Sequence, residues 1–132
     1  IENFLGNYSE LMEIKGIRVD IDATSPAPVE MNEVLADVLI SNLISNAVRY
    51  NIDNGYIKCH IDDNFLILTN TGIPIKTDPE SLFKRFHKIG DNPQSVGLGL
   101  SIVKKITDNY KMSIKYTCKG NLHEITLNYR TT

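Results

Sequence analysis

The sequence predicts an α+β domain, a two-layer sandwich with helices packed on one face of a mixed sheet. Three observations carry this reading. Residues 35–51, LADVLISNLISNAVRYN, contain no Gly or Pro and are apolar nearly all round, as a helix buried on more than one side would be. Two pairs of alternating segments, 56–61 with 65–70 and 112–119 with 122–129, are each joined by a short turn sequence, the pattern of hairpins. Between the hairpins, helical periodicity returns over 97–110.

In chain order, residues 2–14 place Phe4, Leu5, Tyr8, Leu11 and Met12 at helical spacing, and Lys15-Gly16 ends that helix. Residues 17–22, IRVDID, alternate like a half-buried strand, and SPAP at 25–28 is a loop. Asn32 or a neighbour caps the central helix. DNG at 53–55 and Asp62-Asp63-Asn64 are turn signals on either side of the first strand of the first hairpin. From Thr71 to Val96 the pattern loosens around one apolar cluster, LFKRF at 82–86, which suits a functional lid. Gly120-Asn121 closes the second hairpin.

A length of 132 residues implies one domain, and 42% hydrophobic with 23% charged residues and a net charge of -2 describe an ordinary globular protein. Basic residues are neither in excess nor gathered in one run, which argues against a nucleic-acid surface. Cys59 and Cys118 lack metal-ligand spacing and are expected as free thiols in a reducing compartment. There is no signal peptide and no apolar run of spanning length, and the abrupt helical start is that expected of a fragment of a larger protein.

The central helix carries a polar face. At 100° per residue Asn42, Asn46 and Arg49 fall within an arc of about 60°, with Tyr50 beside them. Buried amides need partners, so either the protein supplies them or the face lines a cavity for a polar ligand or a metal ion. GLGL at 97–100 opens a helix, where free N–H groups and the dipole favour phosphate and glycine admits close approach. The same glycines would also serve simply to let a loop enter a helix. The spacing is neither GxGxxG after a strand nor GxxxxGK[ST].

Taken together, these segments resemble sensor histidine kinases, within the ATP-binding superfamily that includes DNA gyrase, MutL, heat-shock chaperone ATPases and anti-sigma-factor serine kinases. NLISNAVRYN (42–51) is similar to the N box, TNTGIPI (69–75) to the first glycine box, LFKRFHKI (82–89) to the F box and VGLGLSIV (96–103) to the second glycine box. The F box between the two glycine boxes favours histidine kinases over their relatives. The resemblance implies the Bergerat ATP-binding fold over residues 1–132, with a lid at about 76–96.

It further implies ATP and Mg²⁺ as cofactors. Asn46 would be the metal ligand through its side-chain oxygen, and Asn42 would assist the metal or its waters. Arg49 would reach phosphate, where a solvated surface arginine is the alternative, and Tyr50 would pack by the adenine or wall the pocket. Gly97, Leu98, Gly99 and Leu100 would hold the phosphates, and Arg85 in the lid would contact the γ-phosphate. Phe83 and Phe86 would anchor the lid. His87 lacks an H-E-x-x-[TN]-P context and is not the phosphoacceptor, and His60 and His123 are expected to be structural. Two positions depart from the family pattern. Asn70, Gly72 and Pro74 stand where the first glycine box has Asp-x-Gly-x-Gly, and Ser95 stands where many members have another glycine. An amide oxygen accepts a hydrogen bond as a carboxylate does, so Asn70 remains the expected reader of the adenine amino group, beside Gly72.

The implied function is the catalytic domain of a bacterial-type sensor histidine kinase in a two-component system. It would pass the γ-phosphoryl group to a histidine on a separate dimerisation and phosphoacceptor domain, and so act indirectly on a response regulator. The alternatives are a serine kinase or ATPase of the same superfamily, or a non-catalytic nucleotide-binding module. The fragment is expected to be monomeric and cytoplasmic, with membrane anchorage of the parent left open.

Overall fold

The computed structural model describes residues 9–23, 32–62, 64–75, 78–84 and 99–129. The elements are α1 (Ser9–Lys15), β1 (Arg18–Ala23), α2 (Glu33–Arg49), β2 (Tyr56–Ile61), β3 (Phe65–Thr71), a 3₁₀ turn (Pro79–Phe83), α3 (Gly99–Asn109), β4 (Ser113–Lys119) and β5 (Leu122–Asn128). The expected start of the first helix, the SPAP loop, Arg85, Phe86, His87, Ser95, Gly97, Leu98 and most of the 76–96 lid lie outside the described residues.

Local chemistry sets the element ends. Asn32 Oδ1 accepts from Val34 N at 2.9 Å and Leu35 N at 3.2 Å, which caps α2 as expected. At the end of α1, Gly16 N donates to Glu13 O at 3.2 Å and Ile17 N to Met12 O at 2.9 Å, a Schellman closure with Gly16 at φ +70°. That closure uses the Ile17 N–H, so β1 begins one residue later than the alternation in IRVDID suggests. Lys15 then reaches the carboxyl end of α2, where its ammonium donates to Arg49 O at 3.1 Å and to Val48 O and Asn51 O at 3.4 Å. A cation there satisfies carbonyls that the helix leaves unpaired and complements its dipole.

The five strands form one mixed sheet in the order β1-β2-β3-β5-β4. Strand β1 runs parallel to β2, with Ile21 opposite Cys59, and the remaining pairs are antiparallel. Alternation sends Ile57, Cys59, Leu66, Leu68, Ile114, Tyr116, Ile125 and Leu127 to one face, where they meet Leu39, Leu43, Ile44, Ala47 and Val48 of α2 and Leu100, Val103 and Ile106 of α3. The helices therefore lie on one side of the sheet, as expected. Leu82 and Phe83 of the 3₁₀ turn join this core, with Asp78 Oδ1 accepting from Glu80 N at 3.1 Å to start the turn.

Asn51 ties the end of α2 to the sheet. Its amide nitrogen donates to Ala47 O and Tyr56 O, both at 3.1 Å, and its oxygen accepts from Ile52 N at 2.9 Å and from the Thr71 hydroxyl at 2.5 Å. Thr71 Oγ1 in turn accepts from Tyr56 N at 2.9 Å. Every polar atom of this buried amide is used, which a dry interior requires.

On the opposite face of the sheet His60 bridges two carboxylates, with Nδ1 3.2 Å from Asp22 and Nε2 3.0 Å from Asp62. The hydrogen bond to Asp62, then that to Asp22, raises the imidazole above its ordinary value. The backbone N–H groups of Asn64 and Phe65, then His60, hold the Asp62 carboxyl low. A raised histidine contributes stability below its ordinary value and loses it as pH rises through the folded value. A depressed carboxylate contributes above its ordinary value and loses it as pH falls. The bridge should therefore stabilise most between about pH 4 and about pH 6.5. Thermal melts should show His60→Ala lowering Tm more at pH 5.5 than at pH 8.5, and an equal loss at both would contradict the bridge.

Candidate functional site

The polar face of α2 meets the start of α3. Asn42 and Asn46 are half-buried there, one turn apart, between the buried rows Leu39/Leu43/Ala47 and the solvent. Asn42 Nδ2 donates to Val38 O at 2.8 Å, one turn back in its own helix, so its oxygen points away from α2. A Cβ on Gly99 would stand 3.0 Å from that oxygen. Gly99 is therefore needed for the approach of the Asn42 amide, in addition to whatever its backbone binds. Leu100 buries its side chain in the core, which leaves only its backbone for a site.

Asn46 lies near the hydroxyl of Tyr116 on β4. Burial pushes that phenol well up, Cys118 adds to the rise, and Asn46 lowers it. Asn42 thus spends its nitrogen inside the protein and presents its oxygen toward the start of α3, with Asn46 one turn along on the same face. Oxygen donors are what a hard cation such as Mg²⁺ takes, and one or two suffice when phosphate and water complete the shell. The residues fit that group.

Around Tyr116 the remaining pieces converge. Its hydroxyl lies 2.6 Å from His123 Nδ1, and its ring meets Phe83 edge-on, with centroids 6.2 Å apart at 65°. His123 is 2% exposed and its Nε2 is 2.8 Å from the carbonyl of Ile73. Burial holds its pKa low against the rise from that carbonyl bond. His123 is structural, as the sequence suggests, and it also shapes the first glycine segment. A Cβ on Gly72 would stand 2.9 Å from His123 Nε2 and 3.0 Å from Tyr50 O, so the bare Cα lets three segments meet.

Asn70 is opposite His123 across the β3–β5 pair and is buried on the helix side of the sheet. Its Nδ2 donates to Thr71 O at 2.8 Å. A flipped amide would set two oxygens against each other, so the side chain presents its oxygen as the available end. Tyr50 caps α2 and lies near enough to Tyr116 to raise its phenol. Arg49 is exposed and makes no ion pair among the described residues. Arg85, Gly97 and Leu98 lie outside those residues.

The structure thus gathers Asn42, Asn46, Tyr50, Gly72 and Gly99 around α2 and links Asn70 to them through His123. Sequence reasoning missed Tyr116 as the partner of His123 and a neighbour of Asn46. The only trace was a polar hydroxyl at an inward position of an alternating strand.

Comparison with known proteins gives the same picture. Residues 31–130 match the family model for histidine kinase-, DNA gyrase B- and HSP90-like ATPases. The sensor histidine protein kinase HK06 of Streptococcus pneumoniae is 32% identical over 118 residues, which cover 86% of this chain and 27% of that protein. The chain thus spans about a quarter of the length of that relative. The histidine kinase AdeS of Acinetobacter baumannii superposes with a TM-score of 0.77 at 27% identity, over 96% of this chain and 60% of that one. The catalytic domain of the histidine kinase ThkA superposes with a TM-score of 0.79 at 23% identity, over 96% of this chain and 87% of that one, which is a likeness of fold. By its sequence match and by its fold, the chain belongs to the family of histidine kinase-, DNA gyrase B- and HSP90-like ATPases.

Proposed function

We propose that residues 1–132 are the catalytic domain of a sensor histidine kinase, which binds ATP with Mg²⁺ and donates the γ-phosphoryl group to a histidine on a separate dimerisation and phosphoacceptor domain of the parent protein. A response regulator would receive the phosphoryl group in turn. The observation that carries the reading is the Asn42 amide oxygen turned toward the start of α3, against Gly99, with Asn46 one turn along on the same half-buried face of α2.

In this reading Asn46 and Asn42 hold the ion, which supplies charge neutralisation to the phosphates when bound. The first N–H groups of α3, at Gly99 and Leu100, face the phosphates with the positive end of the helix dipole behind them, and Gly97 and Leu98 are assigned to the same ligand. Arg49 and Arg85 add cations to the phosphate end. Tyr50 walls the base, Gly72 keeps the base end open, and Asn70 Oδ1 accepts from the adenine amino group. The lid over 76–96 excludes water, and Phe83 anchors its near end against Tyr116. Catalysis is positioning and electrostatic stabilisation, with no covalent intermediate on this chain. The domain would act as a monomer in the cytoplasm, without nucleic acid. Among the described residues no helix is long and apolar enough to cross a membrane.

Two outcomes follow. With γ-labelled ATP and Mg²⁺ the chain alone should stay unlabelled, and a dimeric helical hairpin bearing the phosphoacceptor histidine should become labelled when added. Stable phosphohistidine at His60, His87 or His123, or no transfer to the parent's own hairpin, would contradict the assignment.

Asn70→Asp should raise the preference for ATP over GTP severalfold. A charged acceptor strengthens the bond to the adenine amino group by about 1 kcal/mol over a neutral one, and it repels the oxygen that guanine places there. Competition binding of the two nucleotides to both variants reads the ratio, and an unchanged or lower ratio would remove Asn70 as the base reader.

A further inference from the structure

The segment after β3 is held by a side chain of the neighbouring strand. The β3–β5 ladder ends at the pair Thr71–Leu122, where β5 emerges from the Gly120-Asn121 turn with Gly120 at φ +58°. Gly72 N still reaches Asn121 O at 2.8 Å. Beyond it the strand pairing stops, and the Ile73 carbonyl meets His123 Nε2 at 2.8 Å instead. A carbonyl can only accept, so Nε2 carries a proton. His123 is 2% exposed and touches no carboxylate among the described residues, so the ring is neutral and its Nδ1 is bare. The Tyr116 hydroxyl, 2.6 Å from Nδ1, donates to it and so fixes the tautomer that Ile73 needs.

Three further features set the path of the same short run. Pro74 stands where the family pattern has a glycine, and a proline there pushes Ile73 toward extended backbone. Ile75 packs its side chain against the core. A Cβ on Gly72 would stand 2.9 Å from His123 Nε2, so the imidazole lies directly against the backbone it holds.

We infer that His123 is a positioning residue for the nucleotide base, its Nε2 proton holding the Ile73 carbonyl and Tyr116 fixing the tautomer, so that residues 70–74 are set in place before nucleotide arrives. The inference rests on the reading of Asn70 and Gly72 as the base end of an ATP site. A segment already in its bound path costs less to order when the ligand enters. The effect falls on the base, because in that reading the phosphates and their ion lie at the other end, along α2 and α3.

The test compares ADP binding by calorimetry, with and without Mg²⁺, in the 132-residue chain and in His123→Asn and His123→Gln. The glutamine amide nitrogen extends as far as Nε2 and can donate to the Ile73 carbonyl. The asparagine amide ends near the place of Nδ1, where it can meet Tyr116 and falls short of Ile73. His123→Asn should weaken ADP binding about 3- to 10-fold, by the same factor with and without Mg²⁺, the scale of one neutral hydrogen bond. His123→Gln should stay within about 2-fold of the unmodified chain, because it keeps that bond. Unchanged affinity in His123→Asn, an equal loss in both variants, or a loss seen only with Mg²⁺ would overturn the positioning role and leave the nucleotide reading standing. An unmodified chain that binds no ADP would overturn the nucleotide reading itself, and the inference with it. The imidazole ¹⁵N shifts of the unmodified chain give a check that needs no variant. A neutral ring protonated on Nε2 supports the inference, and a ring protonated on Nδ1 or on both nitrogens overturns it.

Discussion

An amide side chain packed into the protein must find partners for both of its ends, and in this domain that constraint shapes the surface around α2. An unsatisfied buried donor costs about 1–3 kcal/mol. Asn42 and Asn70 each give their nitrogen to an internal acceptor, respectively Val38 O and Thr71 O. Their oxygens are the ends left over. Asn51 differs, because both of its ends are consumed between α2, β2 and β3. Residues of one type therefore divide into a structural tie and a set of aligned acceptors. Their surroundings make the division.

The same logic explains the glycines. Gly72 and Gly99 sit where side chains from other elements, His123 and Asn42, come up against the backbone. A methyl group at either place would move an imidazole or an amide that has a defined bonding partner. A substitution there would disturb Asn42 or His123 before it reached any ligand.

Much of this was legible in the sequence. The extent of α2, both hairpins, the Asn32 cap and the break at Gly16 follow from local patterns, because each depends on residues within a few positions. The grouping of Asn42 with Asn46 follows from helical geometry alone. What local pattern could not give was the identity of partners across the fold. Alternation says that Tyr116 and His123 point inward, and it does not say that they bond each other or that His123 meets Ile73. The end of α3 was read within one residue, although its closure lacks the usual glycine. It closes through Lys111 at φ +57°, with Met112 N bonded to Thr107 O at 2.9 Å, where glycine would be the usual signal. For Asn70 the sequence left the orientation of the amide open, and a single bond to its neighbour's carbonyl decides it.

The most direct measurement is an experimental structure of the domain with Mg²⁺ and a non-hydrolysable ATP analogue. The account predicts Asn46 Oδ1 about 2.0–2.1 Å from the ion, with Asn42 Nδ2 still on Val38 O. An ion bound without Asn46, or an Asn46 amide turned with its nitrogen toward the phosphates, would contradict it.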